Sequence, residues 1–231
     1  MHDKNCYLYE THLHTAPVSR CAIATVREIL EFYRGEGYAG VFITNHFIDG
    51  NINVDRSLPY AERIEFYFSD YEKALEIGRE IGLDVFCGVE SSYYGTDFLI
   101  YGLDKQWFLD HPEIETMEKR QMLELMASHG ALIIQAHPFR EARYIDHIRL
   151  FPRHVHGVET YNAGRPDEQN KMAELYCEHY GLIPFAGTDN HIGVMSNLGG
   201  MKSDTPITSE LDFVERVKNG QITPFVRIAT E

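Results

Sequence analysis

Seven short runs rich in β-branched and aromatic residues recur along this chain, at residues 6–12, 40–46, 84–90, 98–101, 131–137, 156–161 and 183–187. Segments with helical apolar spacing lie between most of them, at 23–35, 60–82, 114–130, 145–150 and 166–181, with a last one at 209–220. Met117, Met122, Leu123, Leu125 and Met126 recur at helical intervals and stop at Gly130. Pro166-Asp167-Glu168 places proline and acid in a first turn, and Gly181 ends that segment. Strand–helix alternation predicts an α/β fold around a parallel sheet. A length of 231 residues with 44% hydrophobic content suits one large domain. With no linker, low-complexity tract or solenoid repeat, residues 1–231 are expected to form that single domain.

The polar residues discriminate between an open sheet and a closed barrel. His12 and His14 follow the first run, Asn45 and His46 close the second, and Glu90 closes the third. His137 ends another, Glu159 and Asn162 sit at the end of the next, and Asp189 and His191 follow the last. In the stretch Gly187-Thr188-Asp189-Asn190-His191, an extended backbone would point Asp189 and His191 the same way. Nearly every β-run thus delivers a metal-capable residue at its C-terminal end, where barrels and doubly wound sheets build their sites. Contributions from so many strands fit a barrel, whose strand ends encircle one mouth; an open sheet would spread them along an edge.

Charge and cysteine usage narrow the function classes. Thirty-five acidic residues against 21 basic ones give a formal charge of −14, which argues against a phosphate-backbone partner that needs clustered Lys and Arg. No apolar run of membrane-spanning length occurs, and MHDKNCYLYE has neither a basic nor an apolar leader region. Cys6, Cys21, Cys87 and Cys177 are scattered without CxxC spacing, so they read as buried thiols of a reducing, cytoplasmic compartment.

Six motifs occur in one order: His12-Leu13-His14, Thr44-Asn45-His46, Gly88-Val89-Glu90, Ala136-His137-Pro138, Gly157 to Asn162, and Gly187 to His191. From about residue 7 to 191 the chain resembles the PHP (polymerase and histidinol phosphatase) superfamily. HxH alone is weak and GxDxH moderate, but all six in order are specific. The resemblance implies a distorted, seven-stranded, TIM-like β/α barrel that holds two or three divalent metals (Zn, Fe or Mn) and cleaves phosphate esters. It implies His12, His14, Glu90 and Asp189 as ligands of a first metal, with Glu90 bridging to a second that also takes His137. His46 and His191 would serve a third. Mixed imidazole and carboxylate donors suit such metals independently of the likeness.

Two positions depart from the pattern. Where many relatives place a third-metal histidine six residues after HxH, this chain has Arg20, whose guanidinium cannot ligate a metal but can grip a phosphate bidentately. Where relatives place a histidine before the strand after Glu90, Asp97 is the substitute ligand; as a bare residue type it could equally form a turn. Arg140 and Arg165 are further phosphate-clamp candidates, and Asn45, Glu159 and Asn162 would orient the ligands. The resulting expectation is a metal-dependent phosphatase acting on a small phosphorylated substrate, similar to histidinol phosphatase. An exonuclease or phosphodiesterase, a protein-tyrosine phosphatase and a metal-stabilised binding module are the competing readings.

Overall fold

The computed structural model describes residues 6–229; the reading of the opening residues 1–5 as leader-free lies outside them. The elements run β1 (Tyr7–Leu13), α1 (Val26–Gly35), β2 (Gly40–Ile43), α2 (Tyr60–Ile81), β3 (Asp84–Tyr93), β4 (Thr96–Tyr101) and α3 (Lys105–Asp110). They continue with α4 (Lys119–Ser128), β5 (Leu132–Ala136), β6 (Gly157–Asn162), α5 (Asp167–Tyr180), β7 (Ile183–Gly187), β8 (Leu198–Ser203), α6 (Glu210–Lys218) and β9 (Ile222–Arg227).

Local chemistry explains the helices. In α1, Thr25 and Glu28 form a reciprocal capping box, and Val26, Ile29, Leu30 and Tyr33 make one buried stripe. Gly82 and Gly181 end α2 and α5 in the left-handed conformation, which costs glycine nothing.

The sheet differs from the seven-stranded, parallel expectation. It has nine strands in the order β7-β6-β5-β4-β3-β2-β1-β8-β9. All seven expected runs are present, and β8 and β9 extend the sheet beyond β1 as antiparallel additions. β4 is antiparallel to both β3 and β5, because the short turn at Tyr94 and Gly95 leaves no room for a crossover helix. The far ends nearly meet. Leu13 bridges Asn190, the Thr11 hydroxyl donates to Ala186 O (2.6 Å), and Asp189 N–H donates to His12 O (2.7 Å). Gly187 permits this approach: a Cβ there would lie 2.6 Å from the His12 Cβ. The result is a nearly closed, barrel-like α/β sheet.

The sheet's apolar filling includes Tyr9, Phe42, Phe86, Tyr101, Phe185 and Met201, and Phe213 from α6 packs onto it. Phe213 is fully buried and tilts onto the Phe42 ring at 4.3 Å between centroids. The expected helix at 145–150 does not form. Tyr144, Ile148 and Leu150 are all exposed, so a helix there would bury no apolar stripe to offset its nucleation cost. The segment instead runs irregularly, with Gln135 bonding both Arg149 O (2.7 Å) and Phe151 N–H (3.0 Å).

Candidate metal centre

The C-terminal ends of the parallel strands converge at one mouth. β1 delivers His12 and leads into His14, β2 leads to His46, and β3 carries Glu90, which bridges to His46. β5 leads to His137, β6 carries Glu159 and Asn162, and β7 leads to Asp189 and His191. Asp97 lies near the start of its strand. Because β4 is antiparallel, its beginning is what reaches this mouth, where Asp97 pairs with Ala136 across the ladder.

Glu90 is the hub. Its Oε1 lies 3.2 Å from His12 Nε2 and 3.4 Å from His137 Nε2. Its Oε2 lies 2.6 Å from His46 Nδ1 and 3.5 Å from His14 Nε2. Asp189 Oδ1 is 3.4 Å from Nε2 of both His12 and His14, and Asp97 Oδ2 is 4.0 Å from His137 Nε2. Four overlapping triads have ligand atoms within 4.8 Å of one another: His14, His46 and His191; His12, His14 and Glu90; His12, His137 and Asp189; and Glu90, Asp97 and His137. Asp189 (φ 57°) and His137 (φ 23°) hold left-handed backbone conformations that L-residues disfavour, the strain typical of a constrained site.

The remaining ring atoms are already committed. His12 Nδ1 faces Glu159 Oε1 at 2.9 Å, and Glu159 Oε2 accepts from His137 N–H (2.9 Å) and from the Asn162 amide (2.8 Å). His14 Nδ1 faces Ser19 Oγ at 3.1 Å. That hydroxyl spends its own proton on Asn45 Oδ1 (2.8 Å), so it accepts from the imidazole. His191 Nδ1 meets the Asp189 carbonyl at 2.9 Å, which can only accept. In each case Nδ1 carries the proton and Nε2 keeps a lone pair for the cluster.

Those inward atoms have no hydrogen-bond partner. His12 Nε2, His14 Nε2, His46 Nδ1 and both Glu90 oxygens are buried and unsatisfied; even the 2.6 Å His46–Glu90 contact is not aligned as a hydrogen bond. Leaving five such atoms bare in a core would be costly. Divalent cations would satisfy them, and mixed imidazole and carboxylate donors fit transition metals. The charge balance is internal. Burial alone would raise Glu90 and Asp189, but the surrounding imidazoles hold both carboxyls well below their ordinary range. Burial, with His191 and His46 alongside, keeps His14 well below its usual value. Asp97 is shifted upward, by burial and then by the Glu90 charge.

A cavity of about 780 Å³ opens above the cluster, and Arg140, Arg165, Tyr144 and Cys21 share its wall. Arg140 Nη1 reaches Asp97 Oδ2 at 3.4 Å, and Arg165 Nη2 reaches Asp189 Oδ2 at 3.5 Å. Arg20 is not brought to this cavity. It is exposed and does not line the cavity, and its backbone N–H bonds Asn51 O (2.9 Å). Cys21 does line the cavity, with its Sγ 3.2 Å from His46 Nε2. Cys21 is therefore not one of the buried thiols that the sequence suggests; Cys87 and Cys177 are. Burial alone would raise the Cys21 thiol, but hydrogen bonds from His191 and His46 bring it down to about 6. Ser19 is likewise invisible to motif spacing. Their only signal is position, in the short irregular segment directly after HxH.

A nearly closed α/β barrel with a cluster of candidate cation ligands at its strand ends defines the class. No protein-family model matches the sequence, and no curated protein matches it at a significant level. Solved structures do share the fold. One is a two-domain protein from Bacteroides vulgatus ATCC 8482 containing a predicted PHP-like metal-dependent phosphoesterase (TM-score 0.65, 13% identity, 95% of this chain and 64% of that one). A second is a proposed metal-dependent phosphoesterase from Bifidobacterium adolescentis ATCC 15703 (TM-score 0.52, 15% identity, 79% and 87%). A third is an amidohydrolase from Chromobacterium violaceum with bound sulfate (TM-score 0.55, 12% identity, 93% and 96%). The chain thus spans less than two thirds of the first of these proteins.

Proposed function

We propose that this protein is a metal-dependent phosphatase that hydrolyses a small phosphomonoester at the barrel mouth. The observation that carries this reading is the pairing, in one cavity, of two guanidinium groups with the cluster of unpartnered imidazole and carboxylate atoms beneath them. His12, His14, Glu90 and Asp189 would hold one cation, Glu90, Asp97 and His137 a second, and His46 and His191 would serve a third. Cations held there supply Lewis acidity, which lowers the pKa of a water and offsets charge on a phosphoryl group.

The protein's own residues supply the rest. Arg140 and Arg165 each present a planar fork suited to two phosphoryl oxygens, and both rest against a cluster carboxylate that aims them inward. Glu159, Ser19 and the Asp189 carbonyl hold the imidazole protons on Nδ1, so no ring need turn when a substrate arrives. The names of the Bacteroides and Bifidobacterium neighbours support ester hydrolysis, and that of the Chromobacterium protein supports an amide-hydrolysing alternative. A screen decides. Protein reconstituted separately with Zn²⁺, Mn²⁺ and Fe²⁺ should release phosphate from small monoesters faster than it cleaves diesters, phosphotyrosine peptides or amides. Preferred cleavage of diesters or amides overturns the phosphomonoesterase reading, and preferred cleavage of phosphotyrosine peptides overturns the small-substrate part of it.

A further inference from the structure

We propose that Cys21 is a metal ligand: its thiolate, with His46 Nε2 and His191 Nε2, binds a thiophilic cation of the zinc type at the cavity mouth, beside the buried cluster. The inference rests on reading that cluster as a metal centre, but not on the reaction proposed for it.

Geometry is the first support. Cys21 Sγ lies 3.2 Å from His46 Nε2 and lines the same cavity as His191. His191 Nδ1 is committed to a carbonyl that can only accept, so the nitrogen left for the sulfur is Nε2, and it carries a lone pair. Of the two His46 ring nitrogens, Nδ1 sits 2.6 Å from the Glu90 carboxylate and Nε2 is the one that faces the sulfur. The thiol thus faces one imidazole nitrogen directly, and His191 shares the same cavity wall.

The backbone holds the thiol there. The N–H groups of both Ile23 and Ala24 donate to His191 O (2.9 and 3.2 Å), and His46 N–H donates to Ser19 Oγ (3.0 Å). The 19–24 segment is therefore tied to both imidazole-bearing loops.

The second support is independent of the sulfur. His14 Nε2, on a fully buried side chain, has no hydrogen-bond partner, yet lies within 4.8 Å of ligand atoms on His46 and His191. The His14 and His191 rings stack at 4.1 Å. Lone pairs crowded in this way need a cation among them.

The donor set selects the metal. One thiolate and two imidazoles favour zinc over magnesium, calcium or manganese, and three protein ligands leave a tetrahedral position open toward the cavity. Arg20 has no part in the site.

Cobalt substitution tests this without reference to turnover. Wild type and Cys21→Ala, each shown to be folded by circular dichroism, are loaded with Co²⁺, and metal content and absorption are recorded. The expected result is a sulfur-to-cobalt charge-transfer band in the near ultraviolet for wild type, absent from Cys21→Ala together with about one equivalent of cobalt. Cobalt binding to wild type without the band overturns the Cys21 assignment and leaves the buried centre standing. A band that persists in Cys21→Ala overturns it as well, since the sulfur is then another cysteine. Absence of cobalt from wild type sinks both readings. If Cys21→Ala does not fold, alkylation of wild type, mapped by mass spectrometry, decides: Zn²⁺ should slow labelling of Cys21 at least about tenfold, and a chelator should restore it. Unchanged labelling overturns the proposal.

Discussion

His12 and Glu159 are joined across the barrel mouth by ring Nδ1 and carboxylate Oε1, 2.9 Å apart, with both side chains fully buried. The other oxygen of Glu159 takes the backbone N–H of His137 and the amide of Asn162. One carboxylate thus orients a candidate ligand ring on β1 and the loop that carries another after β5.

Glu159→Gln should lower metal affinity about 10–100-fold while the fold survives, because an amide nitrogen then confronts a donor on one side. Competition against a calibrated chelator measures the affinity, and thermal unfolding of the metal-free protein reports the fold. A fall in melting temperature with unchanged affinity would show that Glu159 only supports the core.

Arg140 and Arg165 make separable predictions. Arg140→Lys and Arg165→Lys keep a positive charge but lose the fork, so kcat/KM toward a phosphomonoester should drop by roughly 10–1,000-fold, with metal content unchanged. If both variants retain wild-type kcat/KM on the preferred substrate, the clamp role is rejected.

Much of the fold is legible in the sequence, because buried strands must be apolar and their ends are marked by polar residues. The seven runs from β1 to β7 announce themselves in this way. β8 and β9 do not: Leu-Gly-Gly-Met-Lys-Ser carries two glycines, and Ile222–Arg227 contains Pro224, both poor strand signals. The orientation of β4 is set by a short turn rather than by composition, so it escapes a pattern of apolar runs. The cluster residues were legible for a related reason, since strand register carries spacing directly into space. Arg20 and Cys21 lie where that translation fails. The chain after His14 is irregular, with the Ser19–Ile52 bridge and the Arg20–Asn51 bond along it.

Arg20→Ala follows from this placement. No side-chain hydrogen bond or ion pair of Arg20 occurs among the described residues, and its side chain is exposed. Metal content should match wild type, and kcat/KM should stay within about twofold, as for surface substitutions away from special features. A tenfold loss of kcat/KM would place the guanidinium back over the substrate.

His156 gives the protein a stability switch away from the site. It precedes β6 at the closed end of the barrel, where Nδ1 accepts the N–H of Ile133 (3.1 Å). Burial, followed by the nearby Lys218 charge, shifts its pKa below the ordinary 6.5. The neutral ring is the form that fits, so the folded state binds this proton less readily than the unfolded chain does. Its contribution to stability is full above the unfolded value of about 6.5 and is lost as pH falls through the lower folded value. His156→Gln removes the titration. Relative to the variant, wild type should therefore lose stability more steeply below about pH 6.5. Urea unfolding of both metal-free proteins between about pH 5 and 8 measures the difference, in which the titration of the cluster histidines cancels. Parallel pH profiles would show that His156 has the same proton affinity in both states, and the buried acceptor role would then be wrong.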